Sequence, residues 1–196
     1  DSKRLTGKPL VQVHNKPLIQ LTYEAITESK LFDSIFIATE SELIRKTVVQ
    51  FGAKYIMTSK EVKNGTDRCA ELVRKLNNNI DEDDIIINIQ CDEPFIKKEH
   101  LLKLIDLLKL KDEIGTIICP INDDEIHNTS VVKTTISKDQ SAINFSRDIS
   151  KTKTNATLYK HIGVYGYRKN TLLTISNITP SKRELLEKLE QLRWLE

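Results

Sequence analysis

The amino-acid sequence predicts an α/β fold, in which a parallel sheet is covered by helices and an antiparallel arm follows. First, helix and strand patterns alternate over residues 17–120, as in chains whose parallel strands are joined by helices. Second, the run Ile85–Ile89 is apolar, β-branched and nearly continuous, which is typical of a strand covered on both faces. Third, residues 131–168 form strand-like stretches separated by polar turns, which indicates the arm.

The first half of the chain supplies the alternating elements. In order, we expect a helix opening at residues 16–17, a strand over 34–39, a helix over 42–51, a strand over 54–58, a helix through residues 70–76, the strand Ile85–Ile89, a helix over 98–109 and the strand Ile114–Pro120. Ser41 is the predicted N-cap of the second helix, and Gly52 follows its end. Thr66 or Asp67 is the predicted cap of the third helix.

The second half is predicted to differ in kind. Strands are expected over 131–137, 142–147 and 160–168, with residues 138–141 as a hairpin-like connection and a polar, mobile stretch over 150–156. One amphipathic helix over 181–195 closes the chain, with Ser181 as its N-cap and Glu184 at the third helical position. We interpret residues 1–196 as a single domain, with the arm at about 130–168.

The composition argues against several classes of protein. The chain has 196 residues, 39% hydrophobic and 30% charged, as expected for one globular domain. Its net charge of +2 favours neither nucleic acid nor an anionic membrane as a partner, and no apolar run reaches the length of a membrane span. Three cysteines without a C-x-x-C pair indicate reduced thiols in a cytoplasmic protein without a zinc site.

The stretch after Ile85–Ile89 is the strongest candidate for a functional site. Gln90, Asp92 and Glu93 follow the strand, and Pro94 stops it because proline has no N–H to donate. Ligands bind beyond the carboxyl ends of strands in such sheets, and Mg²⁺ takes one or two carboxylates together with substrate phosphates. Asp92 is therefore a candidate Mg²⁺ ligand, and a simple polar turn is the alternative.

Two further stretches are candidates for anion binding. Arg4 and Lys8 lie in a basic loop around Gly7 and could hold phosphates, although on these residues alone a solvated basic loop is the preferred interpretation. Gly65 leads into a helix whose first turn carries Arg68, where a cation opposes the helix dipole. That conflict suggests a functional arginine, with an ordinary surface arginine as the alternative.

Seven motifs in order resemble one known family. They are S-K-R-L-T-G-K-P-L at 2–10, I-A-T at 37–39, N-G-T-D-R at 64–68, N-I-Q-C-D-E-P at 88–94, F-S-R at 145–147, H-I-G-V-Y-G-Y-R at 161–168 and L-E-Q-L-R at 189–193. The chain resembles the 3-deoxy-manno-octulosonate cytidylyltransferases, or CMP-Kdo synthetases, over essentially its whole length. The resemblance implies a Rossmann-like nucleotide-diphospho-sugar transferase fold, with a mixed, mostly parallel sheet and an antiparallel dimerisation arm.

The resemblance also implies a reaction, in which the anomeric hydroxyl of Kdo attacks the α-phosphorus of CTP to give CMP-Kdo and pyrophosphate for lipopolysaccharide synthesis. The implied nucleotide-binding residues are Arg4, Lys8, Thr39, Gly65, Thr66, Arg68 and Asp92. Of these, Arg4, Lys8 and Asp92 would be catalytic, and Asp92 would hold Mg²⁺, the implied cofactor. The implied sugar-binding residues are Gln90, Arg147, His161, Tyr165 and Glu190. A cytoplasmic homodimer is expected.

The chain departs from the family pattern at a few places. Cys91 replaces a glycine, which is a burden if that position needs a positive φ, and Thr6 replaces a proline. Both ends fall within recognisable motifs, so we expect the chain to be an internal piece of a longer protein. Two other functions stay open: activation of a different acidic sugar, such as 8-amino-Kdo or a sialic acid, and a non-catalytic nucleotide-binding remnant.

Overall fold

A computed structural model describes residues 7–62, 64–76, 79–110, 112–151 and 156–196. The strands are Gln12–Val13 (β1), Lys16–Pro17 (β2), Ile37–Thr39 (β3), Tyr55–Met57 (β4), Ile85–Ile89 (β5), Ile114–Pro120 (β6), Lys133–Ile136 (β7), Ala142–Ser146 (β8) and Tyr159–Arg168 (β9). The α-helices are Leu18–Ser29 (α1), Glu42–Gln50 (α2), Gly65–Leu76 (α3), Lys98–Leu110 (α4), Asp123–Ile126 (α5), Lys169–Ile175 (α6), Lys182–Glu187 (α7) and Leu192–Leu195 (α8). The predicted alternation and the three later strands are thus confirmed.

The chain packs as two compact units. The first comprises residues 1–115 and 164–172, and the second comprises residues 116–163 and 173–196. Strand β9 therefore contributes its last residues to the first unit and its first residues to the second. The single domain over residues 1–196 stays a prediction.

In the first unit, β3 and β4 pair in parallel, with Thr39 opposite Met57. Parallel neighbours need a crossover, and α2 supplies it. Ser41 caps α2 as predicted, because its hydroxyl accepts the Ile44 N–H at 3.4 Å, and Gly52 follows the helix with a φ of 74°. Strand β3 is shorter than the predicted 34–39. This geometry leaves Thr39 at the carboxyl end of β3.

Strand β5 pairs antiparallel with the Val164–Arg168 part of β9. Gly166 lies opposite Ile87, and a Cβ at this glycine would come within 3.0 Å of Ile87 Cδ1 and 3.1 Å of Leu104 Cγ. Glycine therefore allows α4 to pack closely on this pair of strands. All five β5 residues are half-buried, although their continuous apolar pattern predicts full burial. The reason is that, among the described residues, β5 pairs with a strand on one side only, β9.

Helix α3 begins earlier than the predicted cap allows. Asn64 precedes it and acts as the cap: its Oδ1 accepts the Asp67 N–H at 2.8 Å and its Nδ2 donates to the Asp67 carboxylate at 2.6 Å. The expectation that Thr66 or Asp67 caps this helix is wrong, since an asparagine is available two residues before Thr66 and is among the best N-caps. Gly65 and Thr66 consequently lie in the first turn of α3.

The second unit is built around an antiparallel hairpin of β7 and β8, with Thr134 opposite Phe145. Gln140 turns the chain with a φ of 66°, and the Ser137 N–H donates to the Ser141 carbonyl at 2.9 Å. On its other side β7 pairs antiparallel with β9, with Lys133 opposite Lys160. The predicted connection at 138–141 is confirmed, and most of the predicted mobile stretch at 150–156 lies outside the described residues.

The prediction of one closing helix is wrong, because two shorter helices, α7 and α8, lie there. Ser181 caps α7 as expected, but Lys188 takes a φ of 54° and ends that helix before α8 begins. Because of this break, the Arg193 guanidinium donates two hydrogen bonds to the Glu184 carboxylate, at 2.7 and 2.6 Å, and both side chains are buried. It also buries Leu189 and Leu192 against Phe145.

Candidate active site

Lys8 and Asp92, predicted as a phosphate-binding cation and a metal ligand, are in contact. Gly7 takes a φ of 78° and leads into a short 3-10 helix, Lys8–Leu10, while Asp92 lies in the turn after β5. The Lys8 ammonium donates to the Asp92 carboxylate across 84 residues of sequence. The side chains are 36% and 29% exposed, so the pair is accessible to a ligand from solvent. Arg4, their predicted companion, lies outside the described residues.

The turn after β5 is held by two hydrogen bonds. The Glu93 N–H donates to the Gln90 carbonyl at 3.1 Å, and the Thr22 hydroxyl donates to the Cys91 carbonyl at 2.8 Å. The second bond fixes the turn to α1. As a result the Asp92 carboxylate is held beside Lys8, while the Gln90 side chain is exposed at the end of the strand.

Cys91 does not strain this turn. It is not among the described residues with positive φ, so the glycine of the family pattern is not needed for its backbone conformation. Its side chain packs against the apolar cluster of Ile19, Val48 and Ala53. Burial, with the Asp92 charge nearby, raises the pKa of the Cys91 thiol to about 11, so the thiol stays protonated at neutral pH.

Arg68 is held at the carboxyl ends of β3 and β4. Its guanidinium forms an ion pair with Glu40 at 2.7 Å, donates to the Thr58 hydroxyl and donates to the Val62 carbonyl at 3.2 Å. Thr39, one residue before Glu40, is 3% exposed, and its hydroxyl accepts the Ser41 N–H at 3.1 Å. Arg68 and Thr39 thus lie at the same edge of the sheet, beyond the carboxyl ends of its strands, where ligands bind in such folds.

The first turn of α3 is fastened to β9. Thr66 is 2% exposed, and its hydroxyl shares a hydrogen bond of 2.9 Å with the Tyr167 hydroxyl. The Tyr165 ring stacks on the Tyr167 ring at 6.2 Å between centroids and is itself 2% exposed. This packing fixes the orientation of the helix N-terminus at Gly65.

In the second unit, His161 is a neutral, oriented imidazole. Its Nε2 lies 2.9 Å from the Thr116 hydroxyl, and its ring meets the Phe145 ring edge-on at 5.0 Å. Burial, with the Arg147 charge nearby, lowers the pKa of His161 to about 4. A neutral imidazole ring can form hydrogen bonds with hydroxyl groups without first being protonated.

Arg147 belongs to the same unit. Its guanidinium donates to the Ser130 carbonyl at 3.0 Å and to the Thr129 carbonyl at 3.4 Å. Glu190 lies half-buried between α7 and α8, where its carbonyl accepts the Arg193 N–H at 3.2 Å. Of the predicted sugar-binding residues, Arg147, His161 and Glu190 therefore lie in the second unit, whereas Gln90 and Tyr165 lie in the first.

Sequence reasoning missed several charged residues that shape these sites. Glu40 directly follows a predicted strand end, and that position could have marked it as the partner of Arg68. Lys133 is 1% exposed in β7, and its place within a β-branched run was the available indication of burial. No sequence pattern indicated the ion pair between Glu184 and Arg193, because their contact depends on the break between α7 and α8.

The described ranges contain no helix that could span a membrane and no group of three side chains suited to a metal ion. No helix there is both long enough and apolar enough to span a membrane. In the same part of the chain, no three or more His, Cys, Asp or Glu side chains cluster as a metal site would require.

Comparisons with known proteins give a consistent picture. A family model described as cytidylyltransferase matches residues 1–196. A 3-deoxy-manno-octulosonate cytidylyltransferase of Thermodesulfovibrio yellowstonii is 44% identical, over all of this chain and 82% of the relative. A CMP:2-keto-3-deoxy-manno-octonic acid synthetase solved in complex with CTP is 34% identical, with a TM-score of 0.86 over all of this chain and 81% of the other.

More distant structures share the fold alone. A 4-diphosphocytidyl-2C-methyl-D-erythritol synthase from Anaerococcus prevotii is 11% identical, with a TM-score of 0.56 over 95% of this chain and 77% of the other. The Rossmann-like nucleotidyltransferase fold predicted from the sequence is thereby confirmed.

Proposed function

The chain belongs to the cytidylyltransferase family, and we propose that it transfers the cytidylyl group of CTP to Kdo, giving CMP-Kdo and pyrophosphate. The observation that carries this proposal is the contact between Lys8 and Asp92 at the carboxyl end of β5. It joins an ammonium suited to phosphate oxygens with a carboxylate suited to a divalent cation. Both groups are needed where a triphosphate is attacked at its α-phosphorus.

A ligand can separate the ion pair between Lys8 and Asp92. Partly exposed ion pairs contribute only about 0–1 kcal/mol, so a triphosphate that arrives with its counterion can separate them at little cost. Lys8 is then available for the phosphate oxygens and the departing pyrophosphate. Asp92 is available for Mg²⁺, which when bound stabilises the charge that develops on the phosphate oxygens. One protein carboxylate with substrate phosphates fits the coordination habits of this ion.

Arg68 and the start of α3 would hold the nucleotide. Gly65 and Thr66 lie in the first turn of α3, where main-chain N–H groups and the helix dipole favour an anion. The Arg68 guanidinium is already fixed by Glu40 and two oxygens, so little side-chain entropy is lost when a ligand binds beside it. Arg4 and Thr39 complete the proposed nucleotide-binding set.

The acidic sugar would bind through one cationic side chain, one carboxylate and three uncharged polar side chains. Arg147 suits the sugar carboxylate, because a guanidinium group can form bidentate hydrogen bonds with a carboxylate. His161, held neutral, suits a sugar hydroxyl. Gln90, Tyr165 and Glu190 are the other proposed contacts. A carboxylate on another acidic sugar would satisfy Arg147 equally well, so 8-amino-Kdo and sialic acid are the alternative substrates.

The non-catalytic alternative loses part of its motivation. It rested in part on Cys91 in place of glycine, and Cys91 is accommodated without a positive φ. We further propose Mg²⁺ as the cofactor, a cytoplasmic location, a role in lipopolysaccharide synthesis and a homodimer formed through the arm at about 130–168. The three cysteines are in the thiol form, as expected in a reducing compartment. Sedimentation of the natural full-length protein would test the dimer.

The experiment that tests the proposal compares two carboxylate variants of the natural full-length protein. Asp92→Asn removes the proposed ligand, and Asp106→Asn makes the same change at an exposed site on α4. With CTP, Kdo and Mg²⁺, we expect pyrophosphate release to fall by about 100-fold or more in Asp92→Asn and to be unchanged in Asp106→Asn. Equal activity of the two variants would refute the role of Asp92.

A further inference from the structure

Lys133 is a fully buried lysine whose ammonium is bonded to main-chain oxygens. Its side chain lies in β7 with 1% of the residue exposed. The Nζ donates to the carbonyl of Asn128 at 2.6 Å, of Val131 at 3.0 Å and of Arg147 at 3.0 Å. An ammonium has three N–H donors, and these three carbonyls match them one for one. The arrangement therefore requires the charged form.

The three acceptors come from two separate pieces of chain. Asn128 and Val131 bound the turn that precedes β7, and Arg147 directly follows β8. The Arg147 guanidinium returns to the same turn, since it donates to the carbonyls of Ser130 at 3.0 Å and of Thr129 at 3.4 Å. The Lys133 ammonium thus fixes both the main chain of Arg147 and the turn on which its side chain rests.

Fold stability alone is a poor explanation for a charge at this position. An apolar side chain of the same length could fill the space without the cost of removing an ammonium from water. Burial and the Arg147 charge both lower the pKa of Lys133, while Asp148 opposes them. Two cations held near each other weaken the fold but create a positive site for an anion. The sugar carboxylate is the anion that the proposed function assigns to Arg147.

We propose that Lys133 is a positioning residue, which holds the Arg147 guanidinium in the orientation that receives the carboxylate of the acidic sugar. The inference rests on the proposed function, because Arg147 matters here only as a sugar-binding residue. Lys133 does not touch the sugar; it acts through the turn at residues 128–131 and through the Arg147 main chain.

The test compares two buried neighbours in β7 of the natural full-length protein. Lys133→Met removes the ammonium and keeps the length of the side chain. Thr134→Val is the matched control: Thr134 is also 1% exposed, and its hydroxyl donates to the Asn144 carbonyl at 2.8 Å, away from the turn. Each variant loses a buried hydrogen-bonding group, but only the first releases Arg147.

We expect Lys133→Met to raise the KM for Kdo by about 10- to 100-fold, with the KM for CTP and kcat changed less than about threefold. Thr134→Val should leave all three constants within that range. The inference is overturned if Lys133→Met leaves the KM for Kdo unchanged, or if both variants change the same constants together.

A measurement on the unaltered protein keeps the test decisive if Lys133→Met does not fold. The Val131 amide donates to the Asn128 carbonyl at 3.0 Å, so its hydrogen exchange reports opening of the turn. Kdo should slow exchange at 128–131, and unchanged exchange there would overturn the inference. Wild-type protein that releases no pyrophosphate with any acidic sugar would instead overturn the proposed function, and the inference with it.

Discussion

Mild acid should weaken the second unit mainly through one side chain, His161. Its pKa in the folded protein is about 4, against an ordinary value near 6.5, because its ring is buried and lies close to the Arg147 guanidinium. Between these two values the unfolded chain takes up a proton at this position and the folded chain does not. Stability that is present above about pH 6.5 is therefore lost as the pH falls toward 4.

The size of the effect follows from the same two values. At about pH 5 the ring is almost fully protonated in the unfolded chain and almost fully neutral in the folded one. One pKa unit corresponds to about 1.4 kcal/mol, and about 1.5 units separate pH 6.5 from pH 5, so the free energy of unfolding should fall by about 2 kcal/mol. The carboxylates with lowered pKa, such as Glu125, lose their contribution only at lower pH.

Trp194, the single tryptophan of the chain, lies in the same unit and provides the assay. Urea unfolding would be followed by its fluorescence at about pH 7.5 and about pH 5, for the wild type and for His161→Gln. Glutamine keeps a polar group near the Thr116 hydroxyl but cannot titrate. The variant should lose most of the pH dependence, whatever its absolute stability. An equal fall in both proteins would refute the assignment of this effect to His161.

Three other perturbations have expected outcomes, each measured as the free energy of unfolding in urea. Gly166→Ala should cost about 1–3 kcal/mol, since the new methyl group would meet the Leu108 side chain; a neutral result would mean that α4 is not closely packed there. Cys91→Gly should cost about 1 kcal/mol or more through lost burial and added chain freedom, and a gain in stability would show that Cys91 is strained after all. Glu184→Gln should cost about 3–5 kcal/mol by leaving the Arg193 charge buried and unpaired, whereas an unchanged stability would contradict the buried contact.

Local rules predicted much of the fold. Ser41 was assigned correctly as the N-cap of α2 and Gly52 as the residue after its C-cap, because both signals act within one turn of the chain. The cap of α3 was missed by two or three residues for a similar local reason: Asn64, Thr66 and Asp67 are all acceptable N-cap types, and sequence alone does not rank them in context.

Contacts between distant residues were beyond local rules. The break at Lys188 brings Arg193 onto Glu184, and helix propensity carries no information on that buried contact. The pairing of Lys8 with Asp92 joins residues 84 positions apart, and only the resemblance to a known family placed both in one site. Lys133 was overlooked because charged residues in strands usually face solvent. Its β-branched neighbours could have indicated burial, but not the carbonyl groups that accept hydrogen bonds from its ammonium.

The most direct test of the proposed function is pyrophosphate release by the natural full-length protein with CTP and Mg²⁺. Kdo, 8-amino-Kdo and a sialic acid would each be supplied in parallel, with CTP alone as the control. We predict release with Kdo and none with CTP alone, together with a product that contains CMP and the sugar in equal amounts. A folded protein that binds CTP but releases no pyrophosphate with any of the three sugars would contradict the account.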